Sequence, residues 1–293
     1  MKKVIFLSLV LWVANSMLFA QNQPKAEGAD VSDEVLLELF NGARVTDVLD
    51  AMVTCGYMEV GMMAREIAPL WRDVEKMSHR IAGIAMTVRY GPTNRPIHPG
   101  VDLTKPESYQ AYRDWRMKWY VELSTESFMK HIKKGTVIVM DNKDDNDTGT
   151  AGSMNIMQWQ EKGAIGLVAA GGVRDLDEVT KQKNPVYMDY YKRGRGERIG
   201  RNEIIDMQQP VVVGGVLVHP GDVVVADTDG VIVVPRRVAV RVGQIAYQEL
   251  VDDQNARLLG YKSTGRTIDA SVTIRESPET FFKRLGLPAD PNK

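Results

Sequence analysis

Gly163-Ala-Ile-Gly-Leu-Val-Ala-Ala-Gly-Gly-Val-Arg-Asp175 is the stretch on which the fold turns. Ala164 to Ala170 is an unbroken apolar run with the length and β-branched content of a buried strand. Gly171-Gly172 closes it, and Asp175 opens the next helix. Upstream, Gly135 to Met140 (GTVIVM) reads as another buried strand, followed by an acidic turn from Asp141 to Asp147. Gly149 and Gly152 then lead into a helix carrying Met154, Met157 and Trp159. Strand, helix, strand, helix in this order argues for a βαβ unit and an α/β fold.

Outward from this centre, helical spacing of Val35, Leu36, Leu39 and Phe40 predicts a helix after Ser32. A second helix begins near Thr46, with Val48, Leu49 and Met52 facing a core. Ile81 to Tyr90 reads as a strand ended by Gly91-Pro92. Residues 91–135 form an aromatic-rich excursion whose Tyr109, Tyr112, Trp115, Trp119 and Tyr120 are spaced for helical packing or a lid. Pro210 to Pro235 reads as three short strands divided by Gly-Gly, Pro-Gly-Asp and Asp-Gly turns. Val238 to Leu259 returns to helix, and residues 266–293 read as a C-terminal tail, a surface arm after Ser277.

The first twenty residues have the layout of a secretory signal: Lys2-Lys3, an apolar run from Val4 to Ala14, and a small residue at Ala20. The run is short for a membrane span. The expectation is a signal peptide (1–20), a polar linker (21–31) and a periplasmic or secreted mature chain with no stable membrane insertion. About 270 residues then remain, ample for a sizeable core. A formal net charge of -1 gives no electrostatic reason to expect a nucleic-acid partner. The single Cys55 excludes an internal disulfide and a Cys-rich zinc site, and reads as a small core residue.

Two short segments can carry chemistry. Gly171-Gly172 lets the backbone turn sharply at the carboxyl end of a strand, the usual ligand edge of such sheets, and sets Arg174 beside Asp175. Arginine offers a fixed fork for a carboxylate, and aspartate is a hard ligand for Mg²⁺ or Mn²⁺. The plainer alternative makes Asp175 and Glu178 a capping pair and Arg174 the partner of a surface acid. Gly152-Ser153-Met154-Asn155 opens a helix, whose free N–H groups favour an anionic or carbonyl oxygen. Its alternative is an ordinary helix start, with Ser153 or Asn155 satisfying the backbone. His79, His98, His131 and His219 show no metal spacing. Arg193 to Arg201 (RGRGERIGR) reads as an exposed loop, and Asp141, Asp144, Asp145 and Asp147 do not follow a calcium-loop pattern.

Taken in order, these segments resemble the RraA-like family. That family includes 4-hydroxy-4-methyl-2-oxoglutarate/4-carboxy-4-hydroxy-2-oxoadipate aldolases and the regulator of ribonuclease activity. The resemblance rests on Gly163 to Asp175, Thr46-Asp-Val-Leu-Asp50, Ile81 to Tyr90, and Gly214-Gly215-Val216 through Pro220-Gly221-Asp222 to Asp229-Gly230 and Pro235. It implies a swivelling β/α/β domain over residues 32–265, with helical N- and C-terminal segments, associating as homotrimers or homohexamers. By resemblance, Arg174 and the amides of Gly152, Ser153, Met154 and Asn155 hold a pyruvyl group. Asp175 holds a divalent metal, Mg²⁺ or Mn²⁺, and Glu249 or Asp253 of a neighbouring subunit supports the metal's waters. The implied activity is metal-dependent retro-aldol cleavage of a 4-hydroxy-2-oxoacid to pyruvate, with oxaloacetate decarboxylation through the same enolate. Alternatives are a non-enzymatic binding or regulatory protein, or a metal-dependent lyase acting on oxidised sugars. One departure matters: where the family's aldolases often carry an acid after the helix-start glycine, this chain has Ser153. The segments from Pro96 to Gly135 and from Thr180 to Asp206 also exceed the compact family core.

Overall fold

The computed structural model describes residues 31–143 and 147–289; the expected signal segment lies outside them. Helices α1 (Asp33–Leu39) and α2 (Val45–Thr54) lead to the short strand β1 (Ile67–Pro69) and the long β2 (Ile81–Pro92). The excursion follows as α3 (Pro106–Lys118), a π-helical turn (Trp119–Leu123) and a 3₁₀ turn (Ser127–His131). Then come β3 (Thr136–Asp141), β4 (Thr148–Gly149), α4 (Ser153–Glu161), β5 (Ala164–Ala169), α5 (Leu176–Lys181) and β6 (Val186–Asp189). Strands β7 (Gly196–Glu197), β8 (Asn202–Met207), β9 (Val211–Val213), β10 (Val216–Val218), β11 (Val223–Asp227) and β12 (Gly230–Val234) precede the long α6 (Ala239–Thr264) and α7 (Pro278–Arg284).

The main sheet runs β1-β6-β5-β3-β2-β11-β12, with β8 also on β2. Its centre, β2-β3-β5-β6, is parallel, as the βαβ reading requires; β1, β8, β11 and β12 join antiparallel. Every residue of β3 is buried, which is why that strand is a continuous apolar run rather than an alternating one. Ile138 and Met140 point into a core with Leu167, Phe128 and Trp159. Val137 and Val139 face the other way, onto Val168 and the valines of β9 and β10. A third core seals β11 and β12 beneath α1, α2, α6 and α7, and Cys55 packs partly buried against it, burial pushing its thiol pKa up.

Two expectations change. Pro210 to Pro235 holds four strands, not three, because Gly214-Gly215, both at positive φ, turns a separate β9–β10 hairpin. The segment after Ser277 is not a surface arm: Ser277 caps α7, and Phe281 and Phe282 are buried, Phe281 stacked on Tyr247 with ring centroids 4.0 Å apart. The segment from Thr180 leads through β6 and β7 to β8, which pairs with Val88 to Pro92 of β2 across a register shift between Arg89 and Tyr90. The aromatic excursion packs as expected. Trp119 is buried and donates its indole N–H to the Asn202 carbonyl, while His98, Tyr112 and Trp115 form a ring ladder leading to it.

Candidate active site

Parallel strands β3 and β5 end side by side, and their exits are latched together. Asn142 accepts from the Gly171 N–H at 3.1 Å and donates to the Gly171 carbonyl at 2.9 Å. Beyond this latch the two chains stay paired: Ala151 N–H donates to Gly172 O, and Arg174 N–H to Ala151 O. That one extra bridge brings the start of α4 against Arg174 and Asp175, uniting two segments whose nearest residues, Asn155 and Arg174, are 19 positions apart in sequence.

Asp175 occupies the N-cap position of α5, but its side chain does not cap that helix. Its backbone is left-handed (φ 57, ψ 45), a conformation uncommon outside glycine and one that marks stored strain when surrounding contacts enforce it. The carboxylate instead crosses to the other helix, where Oδ2 accepts the Ser153 N–H at 3.2 Å, and Oδ1 lies 3.7 Å from the Arg174 Nε. The capping-pair alternative therefore fails for Asp175. Arg174 and Asp175 are both partly open to solvent, with side-chain exposures of 30% and 38%, so a small ligand can reach them.

Two glycines make the approach possible. A Cβ on Gly149 would stand 2.4 Å from Arg174 Cδ, and one on Gly152 would stand 2.7 Å from Asp175 Oδ2. At α4, the Asn155 side chain accepts the Gly152 N–H at 3.0 Å. The expected four-amide cradle is thus reduced. Gly152 and Ser153 N–H are taken by side chains, and among the described residues only Met154 and Asn155 at this helix start keep N–H groups without a partner. Those two lie where the helix dipole favours an anion.

Sequence reading missed the support behind α4. Glu126, from the excursion, accepts from the Asn155 amide at 2.6 Å and from the Trp159 indole at 2.9 Å, and it pairs with the Arg198 guanidinium. Arg198 lies in the stretch expected to be an exposed loop. Arg193, Arg195 and Arg201 are exposed there, but Arg198 is buried, over the Tyr120 ring. The only hint in the sequence was Trp159 on an inward helix face, whose indole N–H needs a buried acceptor. With all three of its bonds made inside the protein, Glu126 orients Asn155.

The remaining candidates lie elsewhere. Asp141 pairs with Arg89 and Asp147 with Arg195; Asp144 and Asp145 fall outside the described residues. His79 is buried between the Asp73 N–H and the Thr228 hydroxyl, His98 sits in the ring ladder, and His219 is exposed near Asp222. Asp253 binds Arg44 and Arg257. Those residues gather at the end of the sheet where β2 begins, since Val45 N–H donates to Asp227, which closes β11. Asp253 and the site thus occupy opposite sheet edges within one chain.

Among the described residues no three His, Cys, Asp or Glu side chains cluster as a metal cage. The donor set at Asp175 is one hard carboxylate, partly open to solvent. This fits Mg²⁺, which keeps several waters and needs only one or two carboxylates, and does not fit a metal that demands a full protein shell.

Comparison with known proteins agrees with this architecture. Protein DlpA of Legionella pneumophila is 26% identical over 257 residues, covering 86% of this chain and 34% of its own length. A Halalkalibacterium halodurans protein named "Putative 4-hydroxy-4-methyl-2-oxoglutarate aldolase" is 31% identical over 129 residues, 43% of this chain and 59% of that one. The chain thus spans only part of the curated relatives it matches. Among solved structures, an uncharacterized protein from Pseudomonas syringae superposes with a TM-score of 0.58 at 23% identity, over 81% of this chain and 96% of that one. Streptomyces coelicolor RraAS2, described as an unusual member of the RNase ES inhibitor RraA family, gives 0.57 at 21% identity, over 78% and 98%. Both show a shared fold. The family model described as RraA-like (Aldolase/RraA) matches residues 45–233, from the start of α2 through β12, and the chain belongs to that family.

Proposed function

We propose that the chain is a divalent-metal-dependent carbon–carbon lyase that cleaves a 4-hydroxy-2-oxoacid, or a related keto acid, to release pyruvate. The observation that carries this reading is the left-handed Asp175, whose carboxylate turns away from its own helix toward Ser153 and beside Arg174. Relatives that bear aldolase names support it. The substrate's carboxylate takes the Arg174 fork and the Met154 and Asn155 amides. Retro-aldol cleavage breaks C3–C4, the 4-hydroxyl losing its proton as C4 becomes a carbonyl. The bonding pair passes into the 2-oxo group as an enolate, which takes a proton at C3 to give pyruvate. Arg174 offsets the charge that develops on the enolate oxygen. A divalent ion at Asp175 would supply Lewis-acid polarisation of the 2-oxo group when bound. Ser153 cannot serve as a carboxylate base, and Glu126 is fully engaged, so water is the proton carrier on this reading.

The same proposal makes the protein exported, from the signal-like residues 1–20, and a homotrimer or homohexamer. Only a neighbouring copy could then bring Glu249 to the site; Asp253 is held by Arg44 and Arg257 of its own chain. One observation favours a second reading, a non-enzymatic binding protein: Ser153 stands where the proposed chemistry would use an acid. Pyruvate release from oxaloacetate and from a 4-hydroxy-2-oxoacid, with Mg²⁺ or Mn²⁺ and then with EDTA, separates the two. The lyase reading expects metal-dependent release that Arg174→Ala abolishes while the variant keeps its fold. Release from neither substrate at any metal concentration would favour the binding protein.

A further inference from the structure

A cavity of about 490 Å³ opens at the end of the sheet opposite Arg174 and is lined by Arg44, Lys76, Arg80, Arg257 and Arg275. That volume suits a small molecule. Its cations come from four separate parts of the chain: the start of α2, the turn before β2, the outer half of α6 and the segment before α7.

Some of this charge is already balanced. Arg44 binds Asp47 and Asp253, and Arg257 binds Asp253. Lys76, Arg80 and Arg275 have no carboxylate partner among the described residues, and the lining offers Asp229 alone against them. Two positive charges are therefore left over. The buried Nε–H donors of Arg257 and Arg275 also lack any hydrogen-bond partner. The surplus charge, rather than these sealed donors, is what an oxyanion in the cavity would neutralise.

The cations are held in place before any ligand arrives. Asp73 accepts from the N–H groups of Glu75 and Lys76 and from the Ser78 hydroxyl, and buried His79 accepts the Asp73 N–H, so the turn presenting Lys76 and Arg80 is fixed from within. Arg275 is steadied by the Asn41 carbonyl at 2.9 Å. Preorganised charges of this kind lose little entropy on binding.

We infer that this cavity is a binding site for a small polyanion carrying at least two carboxylate or phosphate groups, separate from the Arg174 site. Calorimetric titration of the full chain at low ionic strength, with inorganic pyrophosphate in one arm and citrate in the other, tests it and tells phosphate from carboxylate preference. Saturable binding is expected in at least one arm, weakening as salt is raised. It should fall on the order of tenfold or more in the Lys76→Gln/Arg80→Gln variant, both side chains being exposed and outside the core, and stay unchanged in Arg174→Ala. The inference is overturned by no saturable binding in either arm, by binding that the double variant retains, or by binding that Arg174→Ala removes. It is equally overturned if the double variant dissociates an oligomer while the native chain binds neither anion, for then the cations face a second copy.

Discussion

The two edges of the main sheet are built by opposite means. At the edge where β3 and β5 end, backbone does most of the work: glycines admit close approach, strand exits are latched by Asn142, and a strained aspartate reaches an amide. At the edge where β2 begins, side chains from distant segments converge, and each cation is fixed by a carboxylate, a carbonyl or a pinned turn. A backbone-built site writes itself into a short contiguous motif; a side-chain-built cavity does not.

The first edge should fail hardest when its hidden support is removed. Glu126 and Arg198 are buried partners, with side-chain exposures of 13% and 6%. Glu126→Ala strands the guanidinium, and breaking such a pair costs about 3–5 kcal/mol. Chemical denaturation should show that loss. A much smaller one would mean that water reaches Arg198 and that α4 is held chiefly by its apolar face. Replacing both residues with apolar ones should recover much of the stability, since the cost lies in the unpaired charge.

A finer change separates site from scaffold. Gly152 has an extended backbone (φ -104, ψ 171) that alanine adopts without strain. Its new methyl would nonetheless lie 2.7 Å from Asp175 Oδ2 and force that carboxylate aside. Gly152→Ala is expected to lower pyruvate release on the order of 10- to 100-fold, the usual result of misplacing a reacting group by about an ångström. Its melting temperature should stay near that of the native chain. Equal losses of activity and stability would instead make Gly152 a packing residue.

The same contrast explains what could be read from the residues. The RraA-like α/β architecture was legible because β3 and β5 are largely apolar runs, β3 entered from Gly135 and β5 closed by Gly171-Gly172. Arg174 and Asp175 stood out as candidates because they follow the Gly171-Gly172 turn after one intervening residue, Val173. The strain at Asp175 and its bond to Ser153 were not, for they depend on the Ala151–Val173 bridge, a tertiary contact. Nor was the burial of Arg198, whose fellow arginines in RGRGERIGR are exposed; nothing local distinguishes the one arginine that finds Glu126. The tail misled for a similar reason: Phe281 and Phe282 meet Tyr247 only once α6 has folded back along the core.

The smallest expected effect belongs to the second edge and comes from His79. Burial above all, reinforced by the nearby Arg80 charge, lowers its pKa from the ordinary 6.5; Arg72 acts in the same direction, while Asp227 and Asp73 oppose it. The geometry also requires the neutral ring, because Nδ1 accepts the Asp73 N–H at 3.1 Å, which leaves Nε2–H to donate to the Thr228 hydroxyl at 2.9 Å. As pH falls through about 6.5 the unfolded chain takes up the proton first. Stability must therefore decline below that pH, and the decline from this group ends once the native imidazole is itself protonated. Thermal melts between about pH 7 and pH 5 should show a dependence of less than one proton that His79→Gln flattens. An identical pH profile in the variant would assign the decline to other groups. Protonation also removes the acceptor for the Asp73 N–H and so loosens the turn carrying Lys76 and Arg80. Polyanion binding at the β2 edge should then lose preorganisation over the same range, even as protonation adds a positive charge nearby, whereas the backbone-built edge at Arg174 has no corresponding contact with His79 to lose.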